Sequence, residues 1–138
     1  MANLVASLWP WMHLAARILF AGSLMLLSVG HFTSTDAVAG YAASRRVPSP
    51  KAAVIVSGIT VWAGSILIAL GWHRFIGAGL VILFLLSVCF KMHDYWNDTD
   101  ANTRMLNRIQ FWKNIGLVGS ALFIAAYSGP EWPMSLGG

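Results

Sequence analysis

Two apolar runs joined by four residues decide the fold of this chain. They are AAVIVSGITVWAGSILIAL (residues 52–70) and FIGAGLVILFLLSVCF (residues 75–90), with GWHR (residues 71–74) between them. Each run is close to the ~20 residues that a helix needs to cross the hydrocarbon core of a bilayer. Because the connection is so short, the two helices must be antiparallel neighbours. This stretch therefore predicts a transmembrane helical hairpin.

Two further apolar runs, residues 12–29 and 111–127, flank the hairpin. Of the 138 residues, 57% are hydrophobic and 10% are charged, whereas an average soluble domain has roughly 25% charged residues. The chain thus has too few polar groups to cover a water-exposed surface. We predict an all-α, integral membrane four-helix bundle, antiparallel and with short loops. It forms a single domain over residues 1–138, with spans at 12–30, 52–71, 75–92 and 111–128.

The basic residues predict how the chain is oriented. The net charge of +4 comes from side chains at the ends of apolar runs and not from one polar face, which excludes nucleic acid as a partner. Basic residues collect in cytoplasmic loops, so we expect loops one and three in the cytoplasm and both termini outside, in the cell membrane. The start of the chain has no basic residue and no cleavage site, so no cleavable signal peptide is expected. Loops one and three hold Arg45, Arg46, Lys51, Lys91, Arg104 and Arg108, with Lys113 just inside the fourth span, and the other side holds Arg74 and, within the first span, Arg17.

The polar connections contain turn and helix-start signals. Thr35 and Asp36 are candidates to cap a short interfacial helix in the first loop. Ser49 followed by Pro50 predicts an N-cap and first helical residue for the second span. The tail after Ser128, GPEWPMSLGG, is rich in Pro and Gly and is predicted to be a strap at the interface.

Arg17 lies more than one turn inside the first apolar run. An ionised side chain there costs at least ~2.5 kcal/mol unless it is paired or hydrated. Its spacing from other polar residues predicts a helical face that looks into the bundle. The alternative is that Arg17 extends to the outer headgroups while Ser28 bonds a backbone carbonyl. The predicted face comprises His13, Arg17, Leu24, Ser28 and His31.

A second group of polar residues is expected at one membrane face, where the spans end. Imidazole, ammonium, carboxylate and amide groups at similar depth could bind a small anion or the carbonyl group of a quinone. The alternative is that they are ordinary anchors that point to water and lipid phosphate. The group comprises His31, Lys91, His93, Asp94, Lys113 and Asn114.

Other chemistry has weaker support. No pair of histidines has a metal-ligand spacing on one helix turn, so no metal site is predicted. Asp98, Asp100 and Asn102 imitate the start of a calcium loop, but the expected Gly and Glu do not follow. Cys89, the single cysteine, is interpreted as a small buried hydrophobe.

Small residues on the later spans predict close helix packing, as is usual where no hydrophobic effect drives association in lipid. These residues are Ser57, Thr60, Gly64, Gly71, Gly77, Gly116, Gly119 and Ser120.

Six short motifs follow one another along nearly the whole chain: AARILF (15–20), SVGHF (28–32), VP (47–48), LGWHR (70–74), MHDYW (92–96) and FWKNIGLVG (111–119). In this order and spacing they resemble the DoxX family of small four-helix membrane proteins. The family is named for membrane subunits of thiosulfate:quinone oxidoreductases, so the resemblance implies a redox-linked role and a quinone as cofactor. It also implies a ligand-binding role for Arg17, His31, His93, Lys113 and Asn114.

Two functional hypotheses stay open at this point. The first is a membrane subunit of a redox-linked complex that binds a quinone or a sulfur compound and is not catalytic alone, since no CxxC pair or haem ligand set is present. The second is a structural, assembly or interaction subunit with no ligand chemistry. Both hypotheses predict contact with the lipid bilayer and with other membrane proteins or further copies of the chain.

Overall fold

The computed structural model describes residues 2–127 and 131–137, and these are helical over most of their length. Four helices are long and apolar enough to cross a membrane, which confirms the predicted all-α, four-span fold. They are α1 (Ala2–Ser28), α4 (Pro50–Leu70), α5 (Arg74–Met92) and α6 (Ala101–Ala126). Between them lie two short helices, α2 (Gly30–Thr33) and α3 (Thr35–Ser44), and a 3-10 turn at Tyr95–Asn97.

The hairpin of α4 and α5 forms the centre of the bundle. Helix α1 packs on α4 and helix α6 packs on α5, whereas α1 and α6 make no extensive backbone contact with each other. Side chains from all four long helices fill the middle, and the buried core comprises Leu24, Val61, Ile68, Val81, Phe84, Leu85 and Ala121. Because α1 and α6 are not packed against each other, space remains between the helices on the side of the core away from the connection at residues 71–74.

Two glycines allow α4 and α5 to approach closely. A Cβ atom on Gly64 would lie 2.8 Å from the carbonyl oxygen of Gly77, and one on Gly77 would lie 3.0 Å from that of Gly64. The packing prediction is therefore correct for this pair. For Gly116 and Gly119 it is wrong, since a Cβ on either would meet no atom of the described residues within 4 Å. These two glycines lie on a part of α6 that faces away from its neighbours in the bundle.

Replacing Gly64 with alanine is expected to lower the free energy of unfolding by about 1–3 kcal/mol, because backbone must move to admit the methyl group. Gly79 is the matched control, since its Cβ would meet nothing within 4 Å. Gly79→Ala should leave stability unchanged or raise it by up to about 1 kcal/mol. Denaturant unfolding in mixed micelles measures both, and equal effects would contradict the close approach.

The helix ends differ in part from the sequence prediction. Ser49 precedes Pro50, but its φ of 46° is left-handed and its side chain makes no capping hydrogen bond, so the predicted serine cap is wrong. Helix α3 begins at Thr35, and the residue before it makes no side-chain cap either. A genuine cap starts α6, where the Asp100 carboxylate accepts hydrogen bonds from the Thr103 amide at 2.8 Å and hydroxyl at 2.9 Å. This cap lets α6 begin at Ala101, ten residues before its apolar run.

The segment 131–137, called the strap below, crosses the end of the bundle where α4 turns into α5. The Leu136 amide donates to the Leu70 carbonyl at 3.0 Å, and Trp72 pairs with Gly137 in an isolated bridge. Trp132 is buried, with 5% of its surface exposed. The strap is therefore attached to the bundle by backbone hydrogen bonds and by one large buried side chain.

Candidate functional site

A cavity of about 610 Å³ lies at the end of the bundle opposite the strap. Side chains from α1, α3, α4, α5 and α6 form its wall, and most of them are apolar. The apolar lining includes Leu24, Leu27, Val38, Val54, Val56, Leu83, Phe84, Val88, Met92 and Leu117. Cavities of this size and character are typical of small-molecule sites in proteins.

Four of the five predicted ligand-binding residues line this one cavity. They are His31 in α2, His93 directly after α5, and Lys113 and Asn114 in α6. The helices bring them together because each lies near the same end of its span. Ser28, Tyr41, Ser57, Thr60, Ser87, Lys91 and Gln110 also line the cavity, so its wall combines a large apolar area with several polar side chains.

Arg17, the fifth predicted residue, lies elsewhere. It is 3% exposed and is covered by the strap, where its guanidinium donates to the carbonyls of Pro133 at 2.9 Å and Met134 at 3.0 Å. The guanidinium also lies 5.5 Å from the centre of the Trp132 ring. Arg17 therefore neither extends into the headgroups nor faces the cavity. Its partners come from the end of the chain, which sequence spacing along α1 could not indicate.

His31 is held by the helix that precedes it. Its Nδ1 lies 2.9 Å from the carbonyl oxygen of Ser28, and its ring packs edge-on against Phe84 at 5.8 Å. The Ser28 hydroxyl donates to the Leu24 carbonyl at 2.7 Å and accepts from the Trp62 indole at 3.2 Å. These contacts fix the imidazole at the cavity wall.

His93 is held by a chain of polar side chains behind the cavity. Its Nδ1 lies 3.1 Å from Asn107 Oδ1, and Asn107 Nδ2 donates to Asp98 at 2.8 Å. Arg45 in turn donates to both carboxylate oxygens of Asp98, at 2.7 and 3.2 Å. The chain links the first loop, the third loop and α6 to one cavity imidazole.

The ion pair in this chain has clear electrostatic consequences. The hydrogen bond from Arg45 holds the pKa of Asp98 below its usual range, and the pKa of Arg45 is correspondingly raised. Arg45 also lies 3.3 Å from Asp94. At neutral pH the carboxylate of Asp98 is thus ionised and can only accept hydrogen bonds.

The sequence pattern does not assign Arg45, Asp98 or Asn107 to the site. Arg45 is one of several basic loop residues, Asp98 belongs to a run that only imitates a calcium loop, and Asn107 has no distinguishing spacing. In the structure Asp98 pairs with Arg45, and Asp100 caps α6. Among the described residues, no three His, Cys, Asp or Glu side chains lie close enough to hold a metal ion.

Helix α6 contributes three polar residues to the cavity wall, Gln110, Lys113 and Asn114. Asn114 is buried, with 7% of its surface exposed, while Lys113 is exposed and donates to Gln110 on the same helix. Cys89 is fully buried, and its thiol donates to the Phe111 carbonyl at 3.6 Å, consistent with the interpretation of Cys89 as a buried hydrophobe. The cavity thus offers two amides and two ammonium groups in addition to its two imidazoles.

The four spans and the polar end of their cavity define a small polytopic membrane protein with a lipid-facing exterior. The DoxX family model matches residues 12–94. The inner membrane protein YphA of Escherichia coli (strain K12) is 31% identical over 116 residues, which cover 84% of this chain and 82% of that protein. The chain belongs to the DoxX family. No solved structure matches it.

Proposed function

We propose that this protein is the membrane subunit of a redox-linked complex and that it binds a quinone in the cavity between its helices. In this proposal the subunit is not catalytic on its own. The observation that carries the proposal is that two imidazoles, two amides, two ammonium groups and several hydroxyl groups line one cavity whose remaining wall is apolar. Apolar walls suit the ring and tail of a quinone, and a few polar groups suit its two oxygens.

The lining favours a quinone over a small sulfur-containing anion. An anion would need several cationic or N–H donors around it, and the two lysines of the cavity wall, Lys91 and Lys113, are both exposed. Removing an anion from water into a mostly apolar cavity is costly unless it is fully paired. A quinone has no charge and avoids this cost.

The cavity is proposed to open near the cytoplasmic face. Its end of the bundle includes the first and third loops, which carry most of the basic residues, as the positive-inside rule expects of cytoplasmic loops. The strap and the termini would then lie outside. By analogy with YphA, an inner membrane protein, we propose that the chain resides in an inner membrane.

Quantifying the quinone that co-purifies with the full chain from its own membranes in mild detergent tests the proposal. The double variant His93→Phe, Lys113→Met removes the imidazole and the ammonium group but keeps the approximate size of both side chains. Asn107 Oδ1, which loses its contact to His93, can still accept a hydrogen bond from the Tyr41 hydroxyl at 3.4 Å. The retained quinone, counted as its oxidised and reduced forms together, should fall by about tenfold or more, since each lost hydrogen bond contributes about 1 kcal/mol.

The matched control is His73→Asn, Lys51→Met, which changes the same residue types outside the cavity. Asn is chosen because His73 has a left-handed φ of 46°, which Asn tolerates. The control should retain quinone at the wild-type ratio. Equal quinone content in wild type and cavity variant would refute the proposed site.

The second candidate function is that of an assembly or interaction subunit. It is favoured by the open face of α6, where Gly116 and Gly119 have no neighbour in the described part of the chain within 4 Å of a Cβ position and Phe123 is 83% exposed. A helix of another subunit could approach closely along such a face. This role is compatible with a ligand in the cavity, because the two surfaces are different.

A further inference from the structure

We propose that the cavity selects the reduced form of its ligand, a hydroquinone, and that Asn107 is a positioning residue for this selectivity. The inference rests on the proposed function and deepens it. Both cavity histidines use Nδ1 for a hydrogen bond to an acceptor within the protein. As neutral imidazoles they then offer the unprotonated Nε2 to the ligand, and an unprotonated nitrogen can only accept a hydrogen bond.

For His31 the tautomer follows from the chemistry of its partner. Nδ1 lies 2.9 Å from the Ser28 carbonyl oxygen, and a carbonyl oxygen has no proton to give. Nδ1 must therefore carry the proton. The Nε2 of His31 makes no hydrogen bond within the described residues and is not among their fully buried, unpartnered atoms, so it remains accessible at the cavity wall.

For His93 the tautomer follows from a chain of three contacts. The ionised Asp98, held by Arg45, accepts from Asn107 Nδ2 at 2.8 Å. That contact orients the amide, so Oδ1 is the atom 3.1 Å from His93 Nδ1. An amide oxygen only accepts, hence Nδ1 of His93 also carries the proton and Nε2 is left as an acceptor, again without a partner in the described residues.

Two acceptors at one cavity suit a ligand with two hydrogen-bond donors. A hydroquinone has two hydroxyl groups that can donate to the Nε2 atoms. The oxidised quinone has only carbonyl oxygens, which are acceptors, so each would place its lone pairs against the lone pair of Nε2. A buried acceptor without a donor carries a desolvation cost, and such an unpaired group discriminates against the wrong ligand. Lys113 and Asn114 can donate to an oxygen of either form and do not discriminate.

The test compares three ligands of one shape on the full chain in lipid nanodiscs, under anaerobic conditions at pH 8, above the usual imidazole pKa of about 6.5. The ligands are decylubiquinol, decylubiquinone and the dimethyl ether of decylubiquinol, which has no hydroxyl donor. Decylubiquinol should bind about tenfold more tightly than the other two. Asn107→Leu should reduce this ratio to about threefold, and the matched control Asn102→Leu, at an exposed position of the same helix, should preserve it.

The ¹⁵N chemical shifts of the imidazoles in the wild-type protein give a readout that does not depend on a variant folding. At pH 8 both His31 and His93 should show a protonated Nδ1 and an unprotonated Nε2. A protonated Nε2 on both rings, or equal affinity for the three ligands, would overturn the inference and leave the proposed quinone site standing. If none of the three ligands binds, the proposed function fails and the inference fails with it.

Discussion

Replacing Trp132 with alanine is expected to lower the free energy of unfolding by about 3 kcal/mol, the largest effect of any single change considered for this chain. The indole is buried and packs on His13 at 4.8 Å between ring centres. It also covers the guanidinium groups of Arg17 at 5.5 Å and Arg74 at 5.7 Å. Truncation would remove this packing and leave a gap in the strap over the buried Arg17 guanidinium. Water could reach this cation only if the fold were distorted.

Two controls test whether the effect of Trp132→Ala comes from its buried contacts and not from the loss of any tryptophan near the membrane–water interface. Trp11 is 64% exposed, so Trp11→Ala should change the free energy of unfolding by less than about 1 kcal/mol. Combining Trp132→Ala with Arg17→Leu should show a coupling energy of about 1 kcal/mol, since the cation and the ring stabilise each other. Additive effects of the two substitutions would contradict the assigned contact, as would a small effect of Trp132→Ala.

The second large effect is expected for Asp98→Asn, which should lower the free energy of unfolding at pH 7 by about 2–3 kcal/mol. The substitution removes the nearer of the two carboxylates that pair with the Arg45 guanidinium, leaving Asp94 at 3.3 Å, and weakens the contact to Asn107. Hydrogen bonds to charged groups contribute more than neutral ones, and an ion whose partner is removed stays desolvated. Unfolding in mixed micelles at several pH values measures the effect.

The pH dependence of this effect has a definite sign. The pKa of Asp98 is lowered in the folded protein by its hydrogen bond from Arg45, so the pair contributes its full stability above the unfolded pKa of about 3.9. That contribution is lost as the pH falls through the folded pKa, below about pH 4, and Asp98→Asn should lack this loss. Asp36→Asn, which breaks the exposed pair with Lys51, is the control and should have no measurable effect. A difference between wild type and Asp98→Asn that persists unchanged below pH 3 would contradict the ion pair.

The four spans could be predicted because lipid imposes a simple rule on sequence. A helix must satisfy its own backbone, and about 20 apolar residues suffice to cross the core. The connection at residues 71–74 then fixed the pairing of α4 and α5. What the apolar pattern did not indicate is that α1 and α6 continue as helices beyond it, since local caps such as Asp100 decide where a helix begins.

The polar end of the cavity could also be predicted in part. His31, His93, Lys113 and Asn114 lie at similar depth in their spans, and depth is readable from position along each apolar run. Their convergence on one cavity depends on the gap between α1 and α6, which no single run specifies.

The hydrogen-bond partners of the buried polar groups could not be predicted from the sequence. Arg17 is paired with carbonyls more than a hundred residues away, and backbone acceptors carry no signature in side-chain identity. The link from Arg45 through Asp98 and Asn107 to His93 joins the first loop, the third loop and α6, and its members are common residue types at ordinary spacing. Only the folded arrangement distinguishes them from surface anchors.

The central claim is that a quinone occupies the cavity, and photolabelling in native membranes tests it most directly. A ubiquinone analogue with a light-activated azido group on its ring should label residues of the cavity wall, such as Met92, Leu117 and Gln110, as read by mass spectrometry of peptides. An excess of unlabelled ubiquinone should suppress this labelling. Labelling confined to lipid-facing residues such as Leu19 and Phe123, or labelling that an excess of ubiquinone does not reduce, would contradict the account.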